Sequence, residues 1–374
     1  MKNKYPAIKD RYVMYGAEFS LYSGKARSYL RKKGIPHVER LSDIKAYKQF
    51  IVPRSGVRYI PVLQTPDDKV LQDTTVIIDY LEQQFPDDPV YPQTPKQCLA
   101  TMLLEVFGDE WLLIPAMHYR WNYPEDNLEF VYGEFGKTLI PGWPGFVQKF
   151  LGKKIGNKFR GFLPMLGITE KSTAAIEASY IQLLTDLDRH FKTYDFLLGS
   201  RPSIGDFGLI APLYAHLYRD PYPGEMMRNI APNVASWVER MISENTANGE
   251  FAADDQIPET LAPVLKRMAQ EQIPVLLDTA TELEKWRQQH PGEDIPRSIG
   301  THQFTVGGIS EERALIPYSI WMWQRPVDYY QGLNAEEKQI VDPWLNNLGF
   351  KQALNTPIKS RVTRINNKLV FARE

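Results

Sequence analysis

Cysteine is nearly absent: the 374-residue chain has one, Cys98. One thiol makes neither an internal disulfide nor a cysteine-based metal cluster, so no metal is expected. An excess of one charge is missing too. The formal net charge is -1, which excludes the broad basic field of a nucleic-acid binder and any acidic tail. The first residues, MKNKYPAIKDRYVMYG, contain no apolar leader-like run, and nowhere is an apolar run long enough to cross a bilayer. A cytoplasmic enzyme or binding protein is the expectation, without nucleic acid and without membrane contact. Internal repeats and low-complexity tracts are also lacking. Aromatics are plentiful, with 20 Tyr and 8 Trp; they suit apolar or aromatic ligands as well as large cores. A chain of this length holds two or three domains.

The order of elements is readable. RYVMY (11–15) reads as a buried strand. SGKARSYLRKKGI (23–35) reads as a helix with Ala26, Tyr29 and Leu30 on one face, Ser23 at its start and Lys32, Lys33 and Gly34 at its stop. PHVERL (36–41) is a second strand, and 41–56 a connector with one helical turn. Strands follow near 59–63 and 69–72 about a TPDDK turn. A helix then carries Val76, Ile77, Tyr80 and Leu81 on one face and begins at Asp73 or Thr74. The prolines of 86–95 make a linker. This β-α-β-(α)-β-β-α order is thioredoxin-like, and it gives Pro61, anomalous inside a strand, a place: a cis proline just ahead of the third strand.

From residue 96 the pattern is helical. Helices are expected over 96–118, 171–193 (Ile176, Tyr180, Leu183, Leu184, Leu187 and Phe191 as its stripe), 204–218, 231–241 and 275–289, with an irregular Gly/Pro-broken segment over 123–170. HQFTVGG reads as a strand, RALIPYSIWMWQRPVDYY as an aromatic-rich helix, and SRVTRINNKLVFA as a hairpin about Asn366-Asn367.

Five stretches in this order resemble the glutathione S-transferase superfamily: YGAEFSLYSGKARSYLRKKGIP, YIPVL, LQDTTVIIDYLEQQFP, FLLGSRPSIGDFGLIAPLYAHL with its Ser203-x-x-Asp206 capping signature, and PNVASWVERM. The resemblance covers about residues 11–241 and implies an α/β thioredoxin-like N-terminal domain (1–90), then an all-α C-terminal domain (91–250) carrying an insertion at 123–170, with an extension of unknown role over 251–374. Three features depart from the family pattern: the two additions, Leu21 in place of the proline that often follows the catalytic position, and Asp73-Thr74 in place of an acid-serine pair.

What the resemblance implies chemically is a site for glutathione as co-substrate, with no metal, and a homodimer. A free thiol titrates at about 8.5, so a hydroxyl donor at a helix N-terminus that favours the thiolate makes most of it anionic near neutral pH. Ser20 falls at the catalytic position of serine-type members; Tyr15 is the alternative, near the tyrosine-type position. No cysteine lies in this loop, which speaks against disulfide exchange. Ile60, ahead of Pro61, would offer backbone to the cysteinyl unit. Thr74 would bind the γ-glutamyl carboxylate and Asp73 its amine. Lys45 or Lys48 would meet the glycyl carboxylate. A small apolar electrophile would sit against Trp111, Met117, His118, Arg120 and Trp121. Plain capping for the serine and core packing for the aromatics are the bland alternatives. The apolar-basic stretch 140–168 reads as a lid or packing interface in preference to a membrane-surface element.

Overall fold

YVMYG is buried at every position and forms β1 (Tyr12–Gly16), the strand between two others. The computed structural model describes residues 4–373. β2 (His37–Leu41) pairs with β1 in parallel through the crossover helix α1 (Leu21–Lys32). β3 (Val62–Gln64) runs antiparallel to β1, and β4 (Val70–Gln72) antiparallel to β3. The sheet order is therefore β2-β1-β3-β4, a mixed sheet, and α4 (Thr74–Gln84) completes the thioredoxin-like unit. Strand alternation sorts the side chains: Val13, Tyr15 and Val62 join Phe50 and Ile51 in one buried cluster. Phe50 and Ile51 come from the helical connector, in which α2 (Ile44–Ala46) and α3 (Val52–Ser55) flank a wider turn, Tyr47–Ile51.

The rest is mainly helical: α5 (Pro95–Val106), α6 (Leu113–Asn122), α7 (Pro124–Leu139), α8 (Gly145–Arg160), α9 (Glu170–Phe191), α10 (Ile204–Ala215), α11 (Pro221–Ile230), α12 (Pro232–Ile242) and α13 (Ala262–Gln289). A hairpin β5 (Thr301–Val306) and β6 (Ile309–Ala314) leads to α14 (Tyr318–Gly332), α15 (Ala335–Leu348) and α16 (Lys351–Asn355). The last hairpin, β7 (Val362–Ile365) and β8 (Lys368–Phe371), turns on Asn366 and Asn367, both at positive φ, as an Asn-Asn turn requires. Two compact units result. One comprises the described residues up to Val90, with Tyr119–Gly161 and Ile210–Asn248; the other comprises Tyr91–His118, Phe162–Leu209 and the described residues from Gly249 on.

Glycines lie at two departures from the sequence reading. The expected single helix over 96–118 is interrupted at Phe107–Trp111 by a π-helical turn. There Gly108 packs so tightly that a Cβ would lie 2.4 Å from the Gly208 carbonyl. The 123–170 segment is not irregular but mostly the α7–α8 hairpin. Its glycines are contact points and not breaks. A Cβ on Gly136 would lie 2.1 Å from the Gln148 carbonyl oxygen, and one on Gly152 would lie 2.0 Å from that of Tyr132. The long helix near the C-terminus also begins earlier than 275, at Ala262.

Asp206 organises the start of α10 as the capping signature suggested. One carboxylate oxygen accepts from the Ser203 N–H and hydroxyl, both at 2.8 Å, and the other accepts from the Leu197 N–H at 3.0 Å. Three buried donors are thereby satisfied by one side chain.

Candidate functional site at one edge of the mixed sheet

Strand register alone brings the N-terminal site residues together. Tyr15 pairs with Val62, and Val62 pairs with Gln72. The end of β1, the start of β3 and the end of β4 therefore lie side by side at one sheet edge. The chain beyond β1 runs to Ser20, the residue pair before β3 is Ile60-Pro61, and the residues after β4 are Asp73 and Thr74. Gly16 pairs with Leu41, so the connector with Lys45 and Lys48, both exposed, leaves from the same edge.

Two long helices start there. Ser20, in an extended conformation, caps α1: its Oγ accepts from the Ser23 N–H at 3.3 Å. The expectation that Ser23 would be the cap is corrected. The Ser23 hydroxyl instead accepts from the Ala17 N–H at 3.3 Å and folds the loop back on itself. A hydroxyl has two lone pairs and one hydrogen, so capping through a lone pair leaves the Ser20 O–H able to donate. Asp73 caps α4, its Oδ1 accepting from the Thr75 N–H at 2.9 Å. Its backbone stands at φ 89, ψ 132, a conformation costly for any residue with a Cβ. Thr74 is the buried first residue of that helix. The Ile60–Pro61 bond is cis. Both helix N-termini present backbone N–H groups and positive dipole ends to this edge, the arrangement that suits a carboxylate or a thiolate.

Tyr15 is elsewhere. It is fully buried, its ring stacked on Phe50 at 4.4 Å between centroids. Its hydroxyl donates to Gln64 at 3.3 Å and accepts from Arg40 at 3.0 Å. Burial pushes its pKa up despite Arg40.

The loop ahead of Ser20 is braced by groups far along the chain. Arg120 donates to the Phe19 carbonyl at 3.1 Å and to the Ala215 carbonyl at 2.8 Å, and grips Asp220 with two bonds of 2.6 and 2.7 Å. The Phe19 ring lies on Phe135 at 4.2 Å. Glu18 pairs with Arg27 at 3.1 Å and accepts from the Tyr214 hydroxyl. Arg27 also holds Glu39 at 2.7 Å. Burial alone would raise the Glu18 pKa, but Arg27 and Tyr214 outweigh it and hold it below the ordinary carboxylate value.

The five residues named as an electrophile pocket are all buried. Arg120 and Trp121 belong to the first unit, Trp111, Met117 and His118 to the second. The Arg120 guanidinium is taken up by Asp220 and the two carbonyls. His118 faces Glu177 at 2.9 Å, with burial keeping its pKa below the usual histidine value. The Trp111 indole donates to Glu271 at 3.2 Å. Sequence reading missed Glu18, Asp220 and Tyr214. Asp220 reads as an ordinary residue before Pro221, and its partner lies 100 residues away.

Comparison with known proteins follows the same outline. Family models match for the glutathione S-transferase N-terminal domain over residues 14–89 and C-terminal domain over residues 170–240. The chain is 25% identical over 156 residues to glutathione S-transferase U2 of Arabidopsis thaliana, covering 41% of this chain and 66% of that protein. It is 26% identical over 151 residues to glutathione S-transferase omega-1 of Mus musculus, covering 39% and 62%. It thus spans less than two thirds of the length of these relatives. Among solved structures, a glutathione S-transferase from Methylobacterium radiotolerans in complex with glutathione sulfonate is 20% identical, with 65% of this chain and 98% of that one covered and a TM-score of 0.38.

Proposed function

The chain belongs to the glutathione S-transferase superfamily, and from that premise we propose that it binds glutathione at this sheet edge and steadies the thiolate for addition to an apolar electrophilic carbon. The observation that carries the reading is the meeting of two helix N-termini, capped by Ser20 and Asp73, beside the Ile60 backbone. Thr74 and the α4 N-terminus take the γ-glutamyl carboxylate, and Asp73 its ammonium group. Lys45 or Lys48 meets the glycyl carboxylate. Ile60 pairs with the cysteinyl backbone through its own N–H and C=O. The Ser20 hydroxyl donates to the sulfur, and the α1 dipole adds to the preference for the anion. The thiolate then forms a carbon–sulfur bond as the electrophile releases its leaving group or shifts its π electrons. A homodimer is part of the same proposal.

The burial of all five expected pocket residues favours a second reading, glutathione binding without transfer. Two measurements separate the readings and test the site. Full-length protein should be retained on immobilised glutathione, and Thr74→Ala should weaken retention about tenfold through loss of a charge-assisted hydrogen bond. In the bound complex, an ultraviolet thiolate band should vanish in Ser20→Ala while retention persists. A band abolished by Tyr15→Phe and kept by Ser20→Ala overturns the Ser20 assignment. Retention without turnover of any tested electrophile leaves the binding-only reading.

A further inference from the structure

The α7–α8 hairpin separates its charges from the rest of the chain. Between Glu134 and Glu170 there is no acid, yet there are Lys137, Lys149, Lys153, Lys154, Lys158 and Arg160. The net charge of the whole chain is -1, so this cationic stretch is a local feature. Two of these cations are paired, Lys137 with Glu134 at 3.4 Å and Lys149 with Glu129 at 2.7 Å. Among the described residues Lys153, Lys154, Lys158 and Arg160 pair with no carboxylate.

Packing fixes which side of α8 looks outward. Gly152 and Gly156 are buried against Tyr132, and the Tyr132 hydroxyl donates to Asn157 at 2.7 Å. Away from the glycine side, Phe146, Phe150, Lys153 and Arg160 follow at spacings of four, three and seven, a single line along the helix, and all are exposed. Trp143 stands just ahead. Trp143, Phe146 and Phe150 are 59%, 79% and 72% exposed. Single exposed rings are ordinary, but three within eight residues are an apolar patch that water does not favour. The rings gather at the N-terminal end of α8 and the unpaired cations toward its C-terminal end.

We propose that this face binds the surface of an anionic lipid bilayer. The rings enter the boundary between headgroups and acyl chains, Trp143 at the depth that tryptophan prefers, and the lysines and Arg160 meet the anionic headgroups. The surface is the convex side of a helix and not a groove, which suits a bilayer better than a folded partner. A lid would turn its rings inward; these rings face water. No helix among the described residues is long and apolar enough to cross a membrane, so the contact is peripheral. The proposal departs from the expectation that the chain makes no membrane contact, and it is independent of the glutathione reading.

Full-length protein sedimented with vesicles is the test. It should bind vesicles of phosphatidylcholine mixed with phosphatidylserine, bind pure phosphatidylcholine far less, and release as salt rises. Lys153→Glu with Lys154→Glu should weaken binding tenfold or more, at about 1 kcal/mol for each basic residue near the surface. Phe146→Ser with Phe150→Ser should weaken it comparably. Brominated lipids should quench part of the tryptophan emission, and Trp143→Phe should remove that part. Unchanged circular dichroism controls for folding. No binding to either vesicle, or equal binding by parent and variants, overturns the proposal. So does a concentration-dependent dimer lost in Phe146→Ser with Phe150→Ser, which would assign the face to a second copy of the chain.

Discussion

Helices α1 and α4 begin at the same sheet edge, and they begin differently. Ser20 caps α1 with relaxed, extended backbone, φ -87 and ψ 125, while Asp73 caps α4 at φ 89. The α1 start is held from afar, by Arg120, Phe135 and Tyr214 acting on the two residues before Ser20. The α4 start is fixed by its own strained residue and the strand before it. The difference teaches that two helix starts at one sheet edge can answer to different parts of the chain. In the site proposed above, the thiol end would depend on helices about a hundred residues away or more, and the γ-glutamyl end on the residues joining β4 to α4.

The sharpest way to break that contrast is at Arg120. Arg120→Met strips both guanidinium hydrogen bonds from the fully buried Asp220 carboxylate, leaving it only the more distant charge of Arg219, and should cost about 3–5 kcal/mol. Adding Asp220→Leu removes the stranded charge and should restore most of the stability in a urea titration. The double variant still lacks the donor to the Phe19 carbonyl. It should lose the bound-thiolate band yet keep its retention on immobilised glutathione, because α4 is untouched. If band and retention fall together, the two helix starts are one cooperative unit and the comparison fails.

Acid should act on the α1 side through Glu18. Its folded pKa lies below its unfolded value because Arg27 and the Tyr214 hydroxyl outweigh burial. A depressed carboxylate contributes stability that is complete above the unfolded value of about 4.3 and is lost as pH falls through the folded value. The Glu18 side chain is 42% exposed, so solvent screens the pair and the effect is smaller than at Arg120. Melting temperature should therefore fall less steeply below the ordinary carboxylate range in Glu18→Gln than in the parent. Identical slopes would mean that Glu18 does not brace the loop.

How much of this was readable from sequence depends on how far a signal reaches. The strand order, the Asp73 cap, the Ser203-Asp206 box and the Asn366-Asn367 hairpin were legible because each is written within a few residues: a turn chemistry, a cap spacing, a period. Gly136, Gly152 and Gly156 were misread as helix breakers because a glycine in a helix has the same sequence signature whether it weakens the helix or admits a neighbour. Its meaning lies in Tyr132 and Gln148, which the local window does not weigh. Arg120 reads as either a ligand contact or an ion pair, and nothing near residue 120 decides between them or points to residue 220 as the partner. Ser20 and Ser23 stand three apart, and only the loop closure onto Ala17 decides which one caps.

The smallest effect is the most discriminating, because its sign differs between the two helix starts. Glycine at position 73 adopts positive φ without a Cβ penalty, and replacing a capping Asp by Gly costs only a few tenths of a kcal/mol. Asp73→Gly should therefore leave stability unchanged or raise it by up to about 1 kcal/mol, while lowering retention on immobilised glutathione through loss of the amine contact. Ser20 has no backbone strain to relieve. Ser20→Gly loses the cap and frees the unfolded chain, so it should lower stability by about 0.5–1 kcal/mol and leave retention in place. Urea midpoints read the stability change and column retention reads the binding change. Opposite signs in stability, with retention lost only in Asp73→Gly, would establish that one helix start is strained for binding and the other relaxed and braced. Two losses of equal size would mean that the Asp73 backbone stores no strain and that its conformation is merely permitted.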